Sequence, residues 1–239
     1  MMHQVRHLMM SMQQHKHIDR ISIQVGLSGY SFRIWSDSQE SVSDWMAADR
    51  IFTTPELQRR YDEVEVAVFT PKSALVPSQF FVESEARSML AEVADLEDND
   101  PVDYISIPQQ AAVLIYSTAI GETLSKVICE TVLRPDGSKA RLLPEMYFML
   151  RELPNITEYN KILASYMDGV LYLIIAQGKS LLICNSFQAP DFTTAQYFIF
   201  LSMKKLQLNP EISTICFRTP LAEEDEMSLY RYFKSVEKL

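Results

Sequence analysis

Two short turns hold the residues best suited to phosphate or metal chemistry. Gly26-Leu27-Ser28-Gly29 can wrap a phosphate with backbone N–H groups, because glycine lets the main chain approach an anion closely. Asp168-Gly169 offers a carboxylate that can hold a hydrated Mg²⁺. Ser28, Gly29, Asp168 and Gly169 are therefore the candidate nucleotide-binding residues. Each also has a plain reading: Asp-Gly is a strong hairpin-turn signal because such turns need positive φ, and the turn requires no ligand. The strand leading into the first turn, Ile21-Ser22-Ile23-Gln24-Val25, carries no Asp or Glu to help hold a divalent ion.

Other catalytic chemistries are poorly supplied. All four histidines (His3, His7, His15, His17) lie in the first 17 residues, with five of the twelve methionines. His and Met can ligate soft metals, but the spacing matches no closed site. The tract reads as a flexible leader, or as an upstream start preceding Met12. With every histidine in that tract, a Ser-His or Cys-His nucleophile system is not expected. Cys129, Cys184 and Cys216 are widely spaced, odd in number and set in apolar runs, so they read as buried reduced thiols. Glu63 and Glu65 read as the solvated face of a strand. The acidic loop Asp95 to Asp100 lacks the residue order of a calcium loop and reads as a solvated linker. No Walker loop or dinucleotide fingerprint is present. No catalytic residue and no metal ligand is assigned.

These turns need strands to position them. Ile21, Ile23 and Val25, then Tyr30, Phe32 and Ile34, alternate with polar residues and predict a hairpin around the first turn. Ser36 to Arg60 is polar and ambiguous, with a helix plausible near Ser43–Arg50 or Pro55–Arg60. Val64, Val66 and Val68 mark a strand. Pro77 predicts a helix start, with Phe81, Ala86, Leu90 and Val93 at helical spacing. Two strands follow, Tyr104–Ile107 and Ala112–Tyr116. Ile120, Leu124, Val127 and Ile128 then stripe a helix, and Pro144 opens a shorter one ended by Pro154. In the last third, Lys161–Met167, Val170–Ala176 and Ser180–Phe187 predict three antiparallel strands around Asp168-Gly169 and Gln177-Gly178. A helix capped by Asp191 runs Phe192–Leu206, Ile212–Phe217 is a strand, and a final helix from Glu223 packs Tyr230, Phe233 and Val236.

The 239 residues are 47% hydrophobic and 22% charged, ordinary values for a globular chain. A formal charge of −9 argues against non-specific nucleic-acid binding, which needs surplus Lys and Arg. No apolar run approaches a membrane span and no secretory signal pattern is present, so a cytoplasmic location is expected.

The order β-β-β-α-β-α in the last third, with a right-handed return to a parallel strand, is the ribonuclease-H-like arrangement. The first part opens the same way. The expected fold is α/β: two tandem ribonuclease-H-like lobes with mixed sheets, the actin-like architecture. Residues 1–17 form the leader, 18–153 the N-terminal lobe and 154–239 the C-terminal lobe. Particular residues carry a resemblance too. Leu181-Leu182-Ile183-Cys184-Asn185-Ser186-Phe187, Asp191-Phe192 and Tyr197-Phe198, with Ile21-Ser22-Ile23-Gln24, Gly29-Tyr30-Ser31-Phe32, Thr70-Pro71 and Leu75-Val76-Pro77, resemble a bacterial, Bacteroidetes-type family of proteins of unknown function with an actin-like ATPase fold. That resemblance implies a fold and supplies no catalytic residues.

An actin-like ATPase holds phosphates between one hairpin turn from each lobe, with Mg²⁺ on carboxylates. This chain has six glycines, no adjacent pair, and none beyond Gly178 to approach an adenosine. The leading expectation is a non-catalytic binding or scaffold protein, a pseudoenzyme with a protein partner and no cofactor. The alternative is a weak nucleotide-binding ATPase or kinase-like protein with an atypical interlobe site at Ser28, Gly29 and Asp168, the case in which ATP and Mg would be bound.

Overall fold

The computed structural model describes residues 19–36, 39–119 and 122–239. The histidine- and methionine-rich leader and Ile120 lie outside the described residues. In β1 (Arg20–Val25), alternation buries Ile21, Ile23 and Val25 on one face and leaves Arg20, Ser22 and Gln24 on the other. β2 (Gly29–Ser36) pairs antiparallel with β1 and adds Tyr30, Phe32 and Ile34 to the buried face. β3 (Gln39–Val42) and β4 (Met46–Ala47) pair with β2, and β5 (Glu63–Val68) returns parallel to β1. The chain then builds a separate antiparallel sheet from β6 (Ser73–Pro77), helix α1 (Ala86–Ala91), β7 (Val102–Ile107) and β8 (Ala112–Ser117), with strand order β6-β8-β7. Helix α2 (Glu122–Thr131) leads to β9 (Leu142–Pro144), parallel to β5, and α3 (Glu145–Glu152) follows. The first sheet thus has the order β3-β2-β1-β5-β9.

The second sheet repeats this plan. β10 (Asn160–Met167), β11 (Val170–Gln177) and β12 (Ser180–Gln188) meander antiparallel. Helix α4 (Phe192–Lys205) carries the chain to β13 (Thr214–Phe217), parallel to β10, and α5 (Glu223–Tyr230) to β14 (Ser235–Lys238), parallel to β13. The order β12-β11-β10-β13-β14 matches the first sheet position for position. Two ribonuclease-H-like sheets in tandem are the actin-like fold. Between them, Met146, Met149 and Leu150 of α3 pack against Leu163, Tyr172 and Ile174 of the second sheet.

Several sequence expectations give way to pairing. Pro77 ends a strand instead of starting a helix: β6 is an edge strand, where a missing N–H is tolerated, and it pairs with β8. The helix that follows is only Ala86–Ala91, and Val93 is exposed. The polar stretch after Ser36 forms β3, β4 and short 3-10 turns because its strands find partners on β2. The final helix stops at Tyr230, and Val236 is buried on β14 instead. Ile212 is exposed in a 3-10 turn before β13. Cys129 and Cys216 are buried, whereas Cys184 is half-buried; burial pushes the Cys129 thiol up to about 11.

α4 is capped and covered on more than one side. The Asp191 carboxylate accepts the Thr194 N–H at 2.7 Å and caps its first turn. Phe192, Ala195, Ile199 and Met203 form its buried stripe. Its flanks are covered as well: Phe198 stacks on Phe187 with centroids 4.8 Å apart, and Phe200 on Phe233 at 5.7 Å. We therefore predict that Ile199→Ala costs roughly 2–5 kcal/mol in urea denaturation, while Tyr197→Ala, at an exposed position of the same helix, stays within about 0.5 kcal/mol. A near-neutral Ile199→Ala would show that this face is not the core of the second sheet's covering layer.

Candidate functional site

The antiparallel pairings β1–β2 and β10–β11 each end in a tight turn, and the fold brings the two turns together. The Leu27 N–H donates to Oδ2 of Asp168 at 2.7 Å. Asp168 and Gly169 have φ of 51° and 73°, the two positive values of a primed hairpin turn. Gly26 is required by this approach: a Cβ there would lie 2.5 Å from the Asp168 oxygen and 3.1 Å from the Trp45 ring. A Cβ on Gly29 would collide with the Met46 carbonyl, and the Ser28 carbonyl accepts the Ala48 N–H at 3.2 Å. Of the four sequence candidates, Asp168 meets the first turn, at Leu27. Ser28 and Gly29 face the β4 segment, and Gly169 accepts the Ala189 N–H at 2.8 Å.

Beneath the turns lies a residue that the sequence reading passed over. Glu145, the first residue of α3, is 0% exposed. Its Oε1 accepts from Ser165 Oγ at 2.8 Å, Arg218 Nε at 2.9 Å and Gln24 Nε2 at 3.3 Å. These donors come from β10, from the residue after β13, and from β1. The positive end of the α3 dipole favours the carboxylate further. The geometry also explains why β1 carries Gln at position 24: an acid there would face Glu145 in a buried setting, whereas the amide donates to it. The available signals were an acid directly after Pro144, at a predicted helix start, and an Arg directly after a predicted strand.

A cavity of about 590 Å³ opens beside Glu145, between the exposed face of β1–β2 and the ends of β13 and β14. Arg20, Arg33, Arg151, Arg218 and Lys238 line it, together with Trp35. The Arg20 guanidinium lies 4.6 Å from the Trp35 ring centroid and donates to Glu65 at 2.7 Å. Arg151 grips the same carboxylate through both of its terminal nitrogens. Glu65 is thus not a solvated strand residue: its side chain is 20% exposed and clamped between two arginines. Burial works to raise its pKa, but the hydrogen bonds and charges of Arg151 and Arg20 outweigh that and hold it below the ordinary 4.5. Among the described residues, no group of three His, Cys, Asp or Glu is arranged to hold a metal ion, and no helix is long and apolar enough to cross a membrane.

With this geometry in view, comparison with known proteins is informative about fold. The family described as "Protein of unknown function (DUF3822)" matches residues 12–236. A Bacteroides thetaiotaomicron protein with actin-like ATPase fold and unknown function is 16% identical, covers 94% of this chain and 91% of its own, and superposes with a TM-score of 0.67. The PilM-PilN type IV pilus biogenesis complex gives 10% identity, coverage of 94% and 89%, and a TM-score of 0.54. The cytoplasmic domain of EpsL, from the type II secretion system of Vibrio cholerae, gives 14%, 86% and 83%, and 0.44. No curated protein matches in sequence.

Two outcomes follow from these contacts. Because the folded pKa of Glu65 is depressed, its contribution to stability is fully present above about pH 4.5 and is lost as pH falls through the lower folded value. The stability gap between the wild type and Glu65→Gln, measured by denaturation at pH 7 and again near pH 3, is expected to close at the lower pH; a constant gap would contradict the clamp. Removing the carboxylate with Asp168→Ala is expected to speed hydrogen exchange at the Leu27 amide about tenfold or more. Asp168→Asn keeps an acceptor and tolerates positive φ, so it should leave exchange largely slow. Equal exchange in all three proteins would show that the turns do not meet in solution.

Proposed function

From the premise that this chain belongs to the DUF3822 family of proteins of unknown function, we propose that it is a non-catalytic, cytoplasmic protein-binding or scaffold protein that uses the actin-like frame without turning over nucleotide. In this proposal the frame consists of an N-terminal lobe, residues 18–153, and a C-terminal lobe, residues 154–239. One observation carries the reading. The Asp168 carboxylate already occupies the Leu27 N–H at the meeting point of the hairpins, 2.7 Å away. An actin-like ATPase directs such N–H groups at the transferring phosphates. Here the group in that place is itself an anion, so it competes with a phosphate for the donor and repels it.

The central cleft supports the same reading. Transition-state charge in phosphoryl transfer is offset by a metal or by equivalent cations held free for the substrate. Gln24 donates inward to Glu145, so the strand that leads into the first turn offers no acid for a metal. The PilM-PilN structure, a complex named for two proteins, offers a precedent for the frame in protein assembly.

The test is calorimetry with Mg-ATP, together with an assay of phosphate release, on the wild type and Asp168→Asn. The expected result is neither binding heat at micromolar nucleotide nor turnover in either protein. Micromolar binding that Asp168→Asn weakens would overturn the proposal and make Asp168 a metal- or nucleotide-binding residue.

A further inference from the structure

The strongest unassigned feature is the Arg218 side chain. It is only 11% exposed, and its Nε is pinned to the fully buried Glu145 at 2.9 Å. The Phe148 ring centroid lies 5.6 Å from its guanidinium carbon. Glu145 on one edge and Phe148 fix the guanidinium in position. Among the described residues its two terminal nitrogens have no hydrogen-bond partner, and the residue lines the 590 Å³ cavity. An arginine fork held this way is ready to receive a bidentate carboxylate without losing further side-chain freedom.

The surroundings define what would sit there. Of the five basic residues that line this cavity, Arg20 and Arg151 are matched by Glu65, Arg33 by Glu40 and Lys238 by Glu226, whereas among the described residues the terminal nitrogens of Arg218 carry no carboxylate. A carboxylate is therefore drawn to that fork in particular. Trp35, Pro220 and Leu221 supply apolar wall beside the charges, so the ligand needs apolar body as well as negative charge. The cavity lies between the β1–β2 sheet face and the ends of β13 and β14. Its volume falls within the ~300–1,000 Å³ of sites that enclose a compact ligand. A polyphosphate fits less well, since it has no apolar part to place against Trp35, Pro220 and Leu221.

We infer that this cavity binds a short acidic peptide segment of a protein partner, with one carboxylate seated on the terminal nitrogens of Arg218 and a neighbouring apolar side chain against Trp35 and Leu221. This rests on the protein-binding reading above and names the chemistry of the partner.

Tryptophan fluorescence reads the site directly, because Trp35 is one of only two tryptophans and lies in the cavity wall. The full chain is titrated with a blocked tetrapeptide alternating glutamate and leucine, and with the matched glutamine–leucine peptide. Inorganic phosphate and Mg-ATP are titrated in parallel. Saturable binding of the acidic peptide is expected, at least tenfold tighter than that of the neutral one and weakened by raised salt. Arg218→Lys keeps the charge on Glu145 but loses the fork, and should weaken binding about tenfold with little change in melting temperature. Arg33→Gln, on the opposite wall, should weaken it severalfold and guards against a folding defect in the first variant. No saturable binding of the acidic peptide, equal binding of the neutral one, or affinity unchanged in both variants would overturn the inference. Tighter binding of phosphate alone would overturn it in favour of a small-anion site. If Mg-ATP is bound and hydrolysed, the non-catalytic reading fails whatever the peptide does; if neither Mg-ATP nor peptide binds, only the peptide inference fails.

Discussion

A carboxylate with no exposure to water sits where the two sheets meet, and its demand for hydrogen bonds organises what surrounds it. An isolated buried charge is costly enough that a protein either neutralises it or surrounds it with donors. Glu145 is surrounded by donors from three separate places in the chain: Gln24 of β1, Ser165 of β10 and Arg218 beyond β13. The parallel pairing of β10 with β13 sets Ala164 against Phe217, which brings Ser165 and Arg218 side by side. The first sheet contributes through the face of β1 that alternation leaves outside its own core. Polar satisfaction therefore ties one sheet to the other, in addition to the apolar packing of α3.

The same constraint bears on function. In the fold's nucleotide-dependent use, the cleft between sheets is kept polar and open, with donors and metal-binding acids aimed at the phosphates. Here the donors are aimed at the protein's own acids. Asp168 takes the N–H of the first turn, Glu145 takes Gln24 and Arg218, and Glu65 takes Arg20 and Arg151. What stays open is the cavity to one side, where the terminal nitrogens of Arg218 are free, among the described residues, on a guanidinium already fixed in place.

Much of the fold was legible because strands with one buried face announce themselves by alternation, as Ile21, Ile23 and Val25 do, and because Asp168-Gly169 is an unambiguous turn. The helix Phe192–Lys205 was legible through its cap and stripe. What failed depended on partners distant in sequence. β9 is three residues long and exists only because β5 lies beside it, and Val236 joins a strand only because β13 offers an edge. The candidate site was half legible. The two turns were identifiable as turns, and the missing acid at Gln24 was noticed, but the reason for it lies 121 residues away at Glu145. Glu65 looked like a solvated strand residue because local alternation cannot reveal an arginine on α3. No local pattern marks a buried acid whose donors come from three elements.

The central claim is that Glu145 and its donors, above all Arg218, are a coupled unit holding the sheets together. A double-mutant cycle on Glu145→Gln and Arg218→Gln, measured by urea denaturation at pH 7, tests it most directly. Each single change should cost about 3–5 kcal/mol, because it strands a buried partner. The double change should cost well under their sum, with a coupling energy of at least about 1–3 kcal/mol. Additive losses within about 0.5 kcal/mol, or single changes near zero, would contradict the account and show that the sheets are held by apolar packing alone.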